Sequence, residues 1–221
     1  MWNLQNHQIL FVPGIDFTDP SYHLPHFYEL FSKWADEEDR DFWAQAAVAS
    51  RKYLVQACSP ITGMSAEYAE FDGSPMSRKL GWSNDRHDWF YSDSYRTVAN
   101  IGLDYEWFGI DEGQCAAVDR LQEFLLEDAR RNQFHTYEIN GTVAQSDVLH
   151  PVAIIATVAQ GSLAANNPFM NEWIERFWNT PMRTGVRRYY DNCLYFFAFL
   201  ALSGKYRICC LLYTSPSPRD S

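Results

Sequence analysis

The chain has 221 residues, a formal net charge of −10 and a pI near 5.0, a balance that argues against a nucleic-acid or anionic-membrane partner. Hydrophobic residues make up 47%, enough for one sizeable core or part of a larger one, and no apolar run approaches the roughly 18 residues needed to span a bilayer. Aromatic residues reach 16%, with 8 Trp, 13 Tyr and 15 Phe. Most belong to a core by area alone, but flat ring faces also line carbohydrate sites.

The periodicity is helical. Pro25 stands at the favoured first-turn position of a helix running to about Asp36. From Asp39 to Ala57, Phe42, Ala46, Ala49, Tyr53 and Ala57 share one face, with Trp43, Ala47, Ser50 and Leu54 beside them, the stripe of an amphipathic helix. Pro60 and Gly63 end it. A loop rich in Gly, Ser, Asp and Pro spans about Phe71 to Asp88. Helices fit Ser92–Trp107, Glu112–Arg131, Pro151–Ala165, Pro168–Trp178 and Arg188–Leu202, the last with Tyr195, Phe199 and Leu202 on a common side. Thr136–Asn140 reads as a short extended piece ending in the tight-turn dipeptide Asn140-Gly141. No strand alternation of useful length occurs, so the pattern gives an all-α chain of stacked helical hairpins.

Of the 5 cysteines, Cys58, Cys115 and Cys193 are scattered without metal-ligand spacing. They read as reduced, mostly buried thiols of a cytoplasmic protein. Gly-rich phosphate loops, HExxH, CxxC pairs and nucleophile elbows are absent, so no metal and no cofactor are expected.

The run from Trp89 to Tyr105, WFYSDSYRTVANIGLDY, carries the chemistry: an acidic residue, Asp93, where an aromatic stretch turns into a helix, and Arg96 three residues on. It resembles the catalytic-base helix of family 8 glycoside hydrolases, specifically the reducing-end xylose-releasing exo-oligoxylanases. Four further blocks follow the family's order: DPSYHLPHFYELFSKWA from Asp19, TGMSAEYAEFDGSP from Thr62, LHPVAIIAT from Leu149 and NTPMRTGVRRYYDNCLYFFAFLALSG from Asn179. The resemblance runs nearly unbroken from Met1 to Ile208.

The resemblance implies an (α/α)6 barrel of six inner and six outer helices, about seven of which are here, so that residues 1–208 form the C-terminal portion of one catalytic domain. The first residues resemble an internal stretch of the family, and the Glu-Gly-Met-type motif that holds its general acid does not occur. Residues 209–221, CCLLYTSPSPRDS, depart from the family and read as a non-native tail; their Ser/Pro composition would equally suit a short disordered one.

For function the resemblance implies inverting hydrolysis that releases xylose from the reducing end of xylo-oligosaccharides, by two carboxyl groups roughly 6.5–9.5 Å apart. Asp93 matches the base; by itself an Asp opening a helix is a cap or first-turn residue. Arg96 orients Asp93 or bonds a sugar hydroxyl, or is a surface cation in an i,i+3 pair. Tyr28 matches the phenol that shares the attacking water with the base, or is a core tyrosine. His150 matches the histidine that recognises the reducing-end sugar, or is a helix-entry residue before Pro151. Tyr189 and Tyr190 match a paired-tyrosine motif near the cleft, expected to bind substrate, and Glu67 and Asp72 lie in a matched loop. Asp93, Tyr28 and His150 are expected on one concave face. Two other readings stand beside this one: an endo-acting family 8 xylanase, glucanase or chitosanase, separated by the loop between Arg131 and His150, and a catalytically inactive sugar-binding fragment.

Overall fold

The computed structural model describes residues 1–81 and 86–208; the tail expected from Cys209 onward lies outside them. Seven α-helices account for about half of the described chain: α1 Pro25–Trp34, α2 Glu37–Ala57, α3 Tyr95–Phe108, α4 Gln114–Arg131, α5 Pro151–Gly161, α6 Met170–Asn179 and α7 Arg188–Leu202. Each coincides with an expected helix to within a few residues at its ends. Prolines at the first helical position open α1 and α5, where the lost N–H is no loss. Three carboxylates, Glu37, Glu38 and Asp39, fill the first turn of α2, and Arg130 and Arg131 the last turn of α4, each matched to the local end of the helix dipole.

Helices α1, α3, α5 and α7 form a row in which each packs on the next, while α2 pairs with α1, α6 with α5, and α4 rests on α3 and α5. Helix α5 sits at the centre of the row. Every residue from Ala153 to Gly161 is buried, so its sequence shows no polar face. It approaches α3 closely because both helices carry glycine at the crossing: a Cβ on Gly102 would lie 2.5 Å from the Gln160 carbonyl oxygen, and one on Gly161 2.6 Å from Val98. The core side of α7 is Asp191, Ala198 and Ala201. The expected side of that helix is only partly covered, with Phe199 42% exposed.

Among the described residues the short strands are β1 Trp2–Asn3, β2 Gln8–Ile9, β3 Trp89–Phe90, β4 Thr136–Glu138 and β5 Val143–Gln145. The expected turn at Asn140-Gly141 joins β4 to β5, with Gly141 at φ +98°. The third strand, β3, had no signal of its own because two residues cannot alternate. It pairs Trp89 with Glu138 and Phe90 with Tyr137 and so anchors the segment that leads into Asp93. No helix among the described residues is long and apolar enough to cross a membrane.

Candidate active site

Asp93 occupies a 3-10 turn, Ser92–Ser94, that runs directly into α3. The turn is held on both sides. Upstream, β3 is paired into the sheet. Within it, the Tyr91 backbone N–H donates to Ser94 Oγ at 2.9 Å. Ser92 takes a left-handed φ of +41°, a conformation a non-glycine residue keeps only where its surroundings enforce it. Here Tyr190 Oη donates to the Ser92 carbonyl at 3.0 Å.

Arg96, one turn into α3, gathers the charges. Its Nη2 lies 3.1 Å from Asp93 Oδ2 and 3.5 Å from Asp19 Oδ2, and donates to Ser21 Oγ at 2.8 Å. Its Nε donates to the Asp93 carbonyl, and its guanidinium carbon stands 5.6 Å from the Tyr22 ring centre. The Asp93 side chain stays 28% exposed. Asp93 is thus held by one cation and remains partly open to solvent.

Asp19 is the opposite case. It is fully buried, caps the Pro20–Tyr22 turn by accepting from the Ser21 N–H at 2.7 Å, and shares Arg96 with Asp93. Burial pushes its carboxyl up to about 7, against the pull of Arg96 and Ser21 and with a further push from Asp93. Its position in DPSY reads only as a turn opener; that its second oxygen meets Arg96 across 77 residues is invisible to local pattern. Between roughly pH 4 and 7 the folded chain holds a proton on Asp19 that the unfolded chain has lost. Its contribution to stability therefore falls as pH rises through that window, by about 1.4 kcal/mol per unit. His23 and His26, pushed down to about 3 by burial, and for His26 also by Arg51, act oppositely, since the unfolded chain protonates them below about pH 6.5. The informative quantity is thus the difference between parent and Asp19→Asn in urea-unfolding free energy: the variant should gain on the parent steadily from pH 4 to 7. A difference independent of pH would mean that Asp19 is ionised in the fold throughout.

His150 caps the start of α5. Its ring centre is 4.4 Å from that of Tyr190, and its Nδ1 is 2.9 Å from Asp191 Oδ2. Tyr190 therefore bridges the Asp93 turn and His150. Tyr28 joins from α1: it lines a cavity of about 440 Å³ together with Arg96, Ser21, Tyr22 and Asn100. Its Oη donates to the Tyr22 carbonyl at 2.8 Å, its ring packs edge-on against Trp2 at 5.1 Å, and burial raises its phenol well above the ordinary range. No contact between Tyr28 and Asp93 is formed among the described residues. Glu67 is near the site; its carboxylate lies 2.6 Å from His87 Nδ1, and burial raises its affinity for a proton against the pull of His87. Asp72 instead accepts from Ser74 N–H and Oγ within an exposed turn. Tyr189 stands apart, 83% exposed, on a separate cleft with Arg187, Arg188, Asn192, Cys193 and Phe196. Among the described residues no three His, Cys, Asp or Glu side chains are placed to hold a metal ion.

No family model matches the chain. Individual proteins do. The reducing end xylose-releasing exo-oligoxylanase of Halalkalibacterium halodurans is 53% identical over 209 residues, 94% of this chain and 52% of that protein. The structure of Rex8A from Paenibacillus barcinonensis complexed with xylose aligns with a TM-score of 0.89 at 51% identity, over 94% of this chain and 54% of that one. Another solved form of Rex8A carries a double substitution of an adjacent leucine and histidine by alanine and serine. Endoglucanase 2 of Ruminiclostridium josui is 23% identical over 196 residues, 87% of this chain and 39% of that protein. The chain spans about half the length of the exo-oligoxylanases it matches, and its row of inner and flanking helices is part of the (α/α)6 barrel of that family. The chain is a homologue of the reducing-end xylose-releasing exo-oligoxylanases, family 8 glycoside hydrolases, over a stretch equal to about half of such an enzyme.

Proposed function

We propose that this chain supplies the catalytic base and the reducing-end recognition of an inverting exo-oligoxylanase acting on xylo-oligosaccharides. The observation that carries it is the state of Asp93: a partly exposed carboxylate, fixed by Arg96 at the mouth of an inner helix. In an inverting mechanism such a group removes the proton from a water that attacks the anomeric carbon opposite the leaving oxygen. Arg96 orients it. Tyr28 shares that water: its hydrogen is given to the Tyr22 carbonyl, which leaves its oxygen lone pairs free to accept from the water and fix it. His150 and Tyr190 face the xylose at the reducing end. The chain's one adjacent Leu-His pair is Leu149–His150, the kind of pair replaced in the Rex8A variant. Tyr189, on the separate cleft, is given no role in this mechanism. The proposed compartment is the cytoplasm, which fits the free Cys58, Cys115 and Cys193 of a reducing environment. No nucleic-acid or membrane partner enters the mechanism. The endo-acting reading has weaker support, since the endoglucanase likeness is only 23%. An inactive, sugar-holding role suits the 221 residues by themselves, because they contain no Glu-Gly-Met motif.

The test joins this chain to the portion of a relative that it does not match and digests xylotetraose labelled at its reducing end. Labelled xylose and unlabelled xylotriose are expected, with the trisaccharide appearing first as the α-anomer. Internal cleavage to xylobiose as the first product, or a β-anomer, would overturn the assignment.

A further inference from the structure

His150 is held by a buried ion cluster that the reaction as described does not use. Asp191 is fully buried at the start of α7. Its Oδ1 accepts from the Ala153 backbone N–H at 2.8 Å, and its Oδ2 faces His150 Nδ1 at 2.9 Å. Arg183 Nη1 donates both to Asp191 Oδ2 and to the carbonyl of Leu149, the residue before His150. Burial raises the Asp191 carboxyl, but His150, Arg183 and the Ala153 N–H together hold it below the ordinary range, so it is an ionised group that only accepts. The hydrogen between it and the imidazole therefore resides on Nδ1. The Arg183 guanidinium is the cation that balances this carboxylate. Among the described residues Nε2 has no hydrogen-bond partner.

We propose that Asp191 and Arg183 are positioning residues that lock His150 as the neutral Nδ1–H tautomer, so that its bare Nε2 accepts a hydrogen bond from the sugar at the reducing end. This rests on the reading of His150 given above and adds a reason for the exo specificity. A free anomeric hydroxyl carries a hydrogen to donate. The oxygen of a further glycosidic bond at the same place carries none, so an accept-only nitrogen rejects a longer chain chemically as well as sterically. Sites built to hydrogen-bond a hydroxyl discriminate strongly against analogues that lack it.

Asp191→Asn reverses this logic. The Ala153 N–H is fixed in helix α5, whereas the part-exposed Arg183 can turn away and keep the Leu149 carbonyl, so the amide oxygen stays at the Oδ1 position and the NH2 takes the place of Oδ2. It then donates to Nδ1 and moves the ring hydrogen to Nε2. An equivalent exchange upsets the histidine tautomer of serine proteases.

Two measurements test the proposal. Long-range 1H–15N spectra of the 15N-histidine-labelled 221-residue chain at pH 7, with His150 assigned from His150→Gln, should show the Nδ1–H, Nε2-bare pattern, and Asp191→Asn should show Nε2–H. An Nε2–H or doubly protonated ring in the parent overturns it, and so does a folded Asp191→Asn with the parent pattern. If Asp191→Asn fails to fold by circular dichroism, the parent spectrum decides alone. In the protein joined to a relative's unmatched portion, the preference in kcat/KM for xylotriose over its methyl glycoside should fall at least about tenfold in Asp191→Asn, an effect that loss of packing would not give. An unchanged preference overturns the specificity role. If instead the spectra are as expected but xylose perturbs no His150 signal in either protein, the positioning by Asp191 stands and the exo-oligoxylanase reading of this site falls.

Discussion

Purified as its 221 residues, the chain will release xylose from xylotriose about 10²–10⁴-fold more slowly than the same chain joined to the portion of a relative that it does not match, because positioned acid catalysis contributes that much. The argument is a count of carboxyl groups. Inversion needs a base and an acid on opposite sides of the scissile bond. Asp93 is placed for the first role. For the second, the nearby candidates are Asp19, which is fully buried, and Glu67, which is tied to His87. Neither is free to meet a glycosidic oxygen. Without a donor the departing sugar must leave as an alkoxide. In the joined protein, Asp93→Asn should abolish turnover while leaving the thermal unfolding midpoint nearly unchanged, since the side chain is part-exposed and an exposed pair contributes roughly 0–1 kcal/mol. Comparable rates for the 221-residue chain and the joined protein would mean that a carboxyl group present here donates the proton, and the division of roles would be wrong.

Most helices were legible in the sequence because they bury a stripe, and a stripe leaves a period; α5, buried all round, was legible instead as an apolar run opened by Pro151. The prolines at α1 and α5 and the Asn140-Gly141 turn were equally local signals. What could not be read was pairing across distance. Asp19 looked like a turn residue, Asp191 had no signal beyond its charge, and Arg51 sat in the middle of an amphipathic helix as one more polar residue. All three are buried, and each is matched there by a partner tens of residues away: Arg96, His150 (with Arg183 eight residues off as a second), and Asp104. Residues on one helix face are set by a period of 3.6, but which charge meets which is set only once the helices pack. For the same reason Tyr189 and Tyr190, adjacent in sequence, part company: about 100° of helix turn puts one on His150 and the other in solvent.

Replacing Asp104 by alanine should cost about 3–5 kcal/mol of stability, because removing one partner of a buried pair leaves the other charge without compensation. Arg51 and Asp104 are each 3% exposed in their side chains. The guanidinium donates two bonds to the carboxylate, Nε to Oδ2 and Nη2 to Oδ1, both at 2.9 Å, the bidentate geometry that suits Arg alone. A third donor, Nη1, reaches Glu29 at 3.0 Å, so the pair ties α2 to both α3 and α1. Burial raises the Asp104 carboxyl in spite of Arg51, whereas Asp104 and Glu29 hold the Arg51 guanidinium above its ordinary value in spite of burial, so desolvation and attraction work against each other in the pair and its net contribution is expected to be small. The two facts predict different outcomes for single and double substitution. Asp104→Ala strands a guanidinium in an apolar setting with only Glu29 left to it. Arg51→Met with Asp104→Leu removes both charges and fills their volume, and should recover most of the loss. Against a total of about 5–15 kcal/mol for a folded domain, the single change should lower the urea midpoint sharply or leave the chain unfolded at 25 °C. If the double variant is as unstable as the single one, the pair holds the α2–α3 packing by its shape and hydrogen bonds, not merely by balancing its own charges.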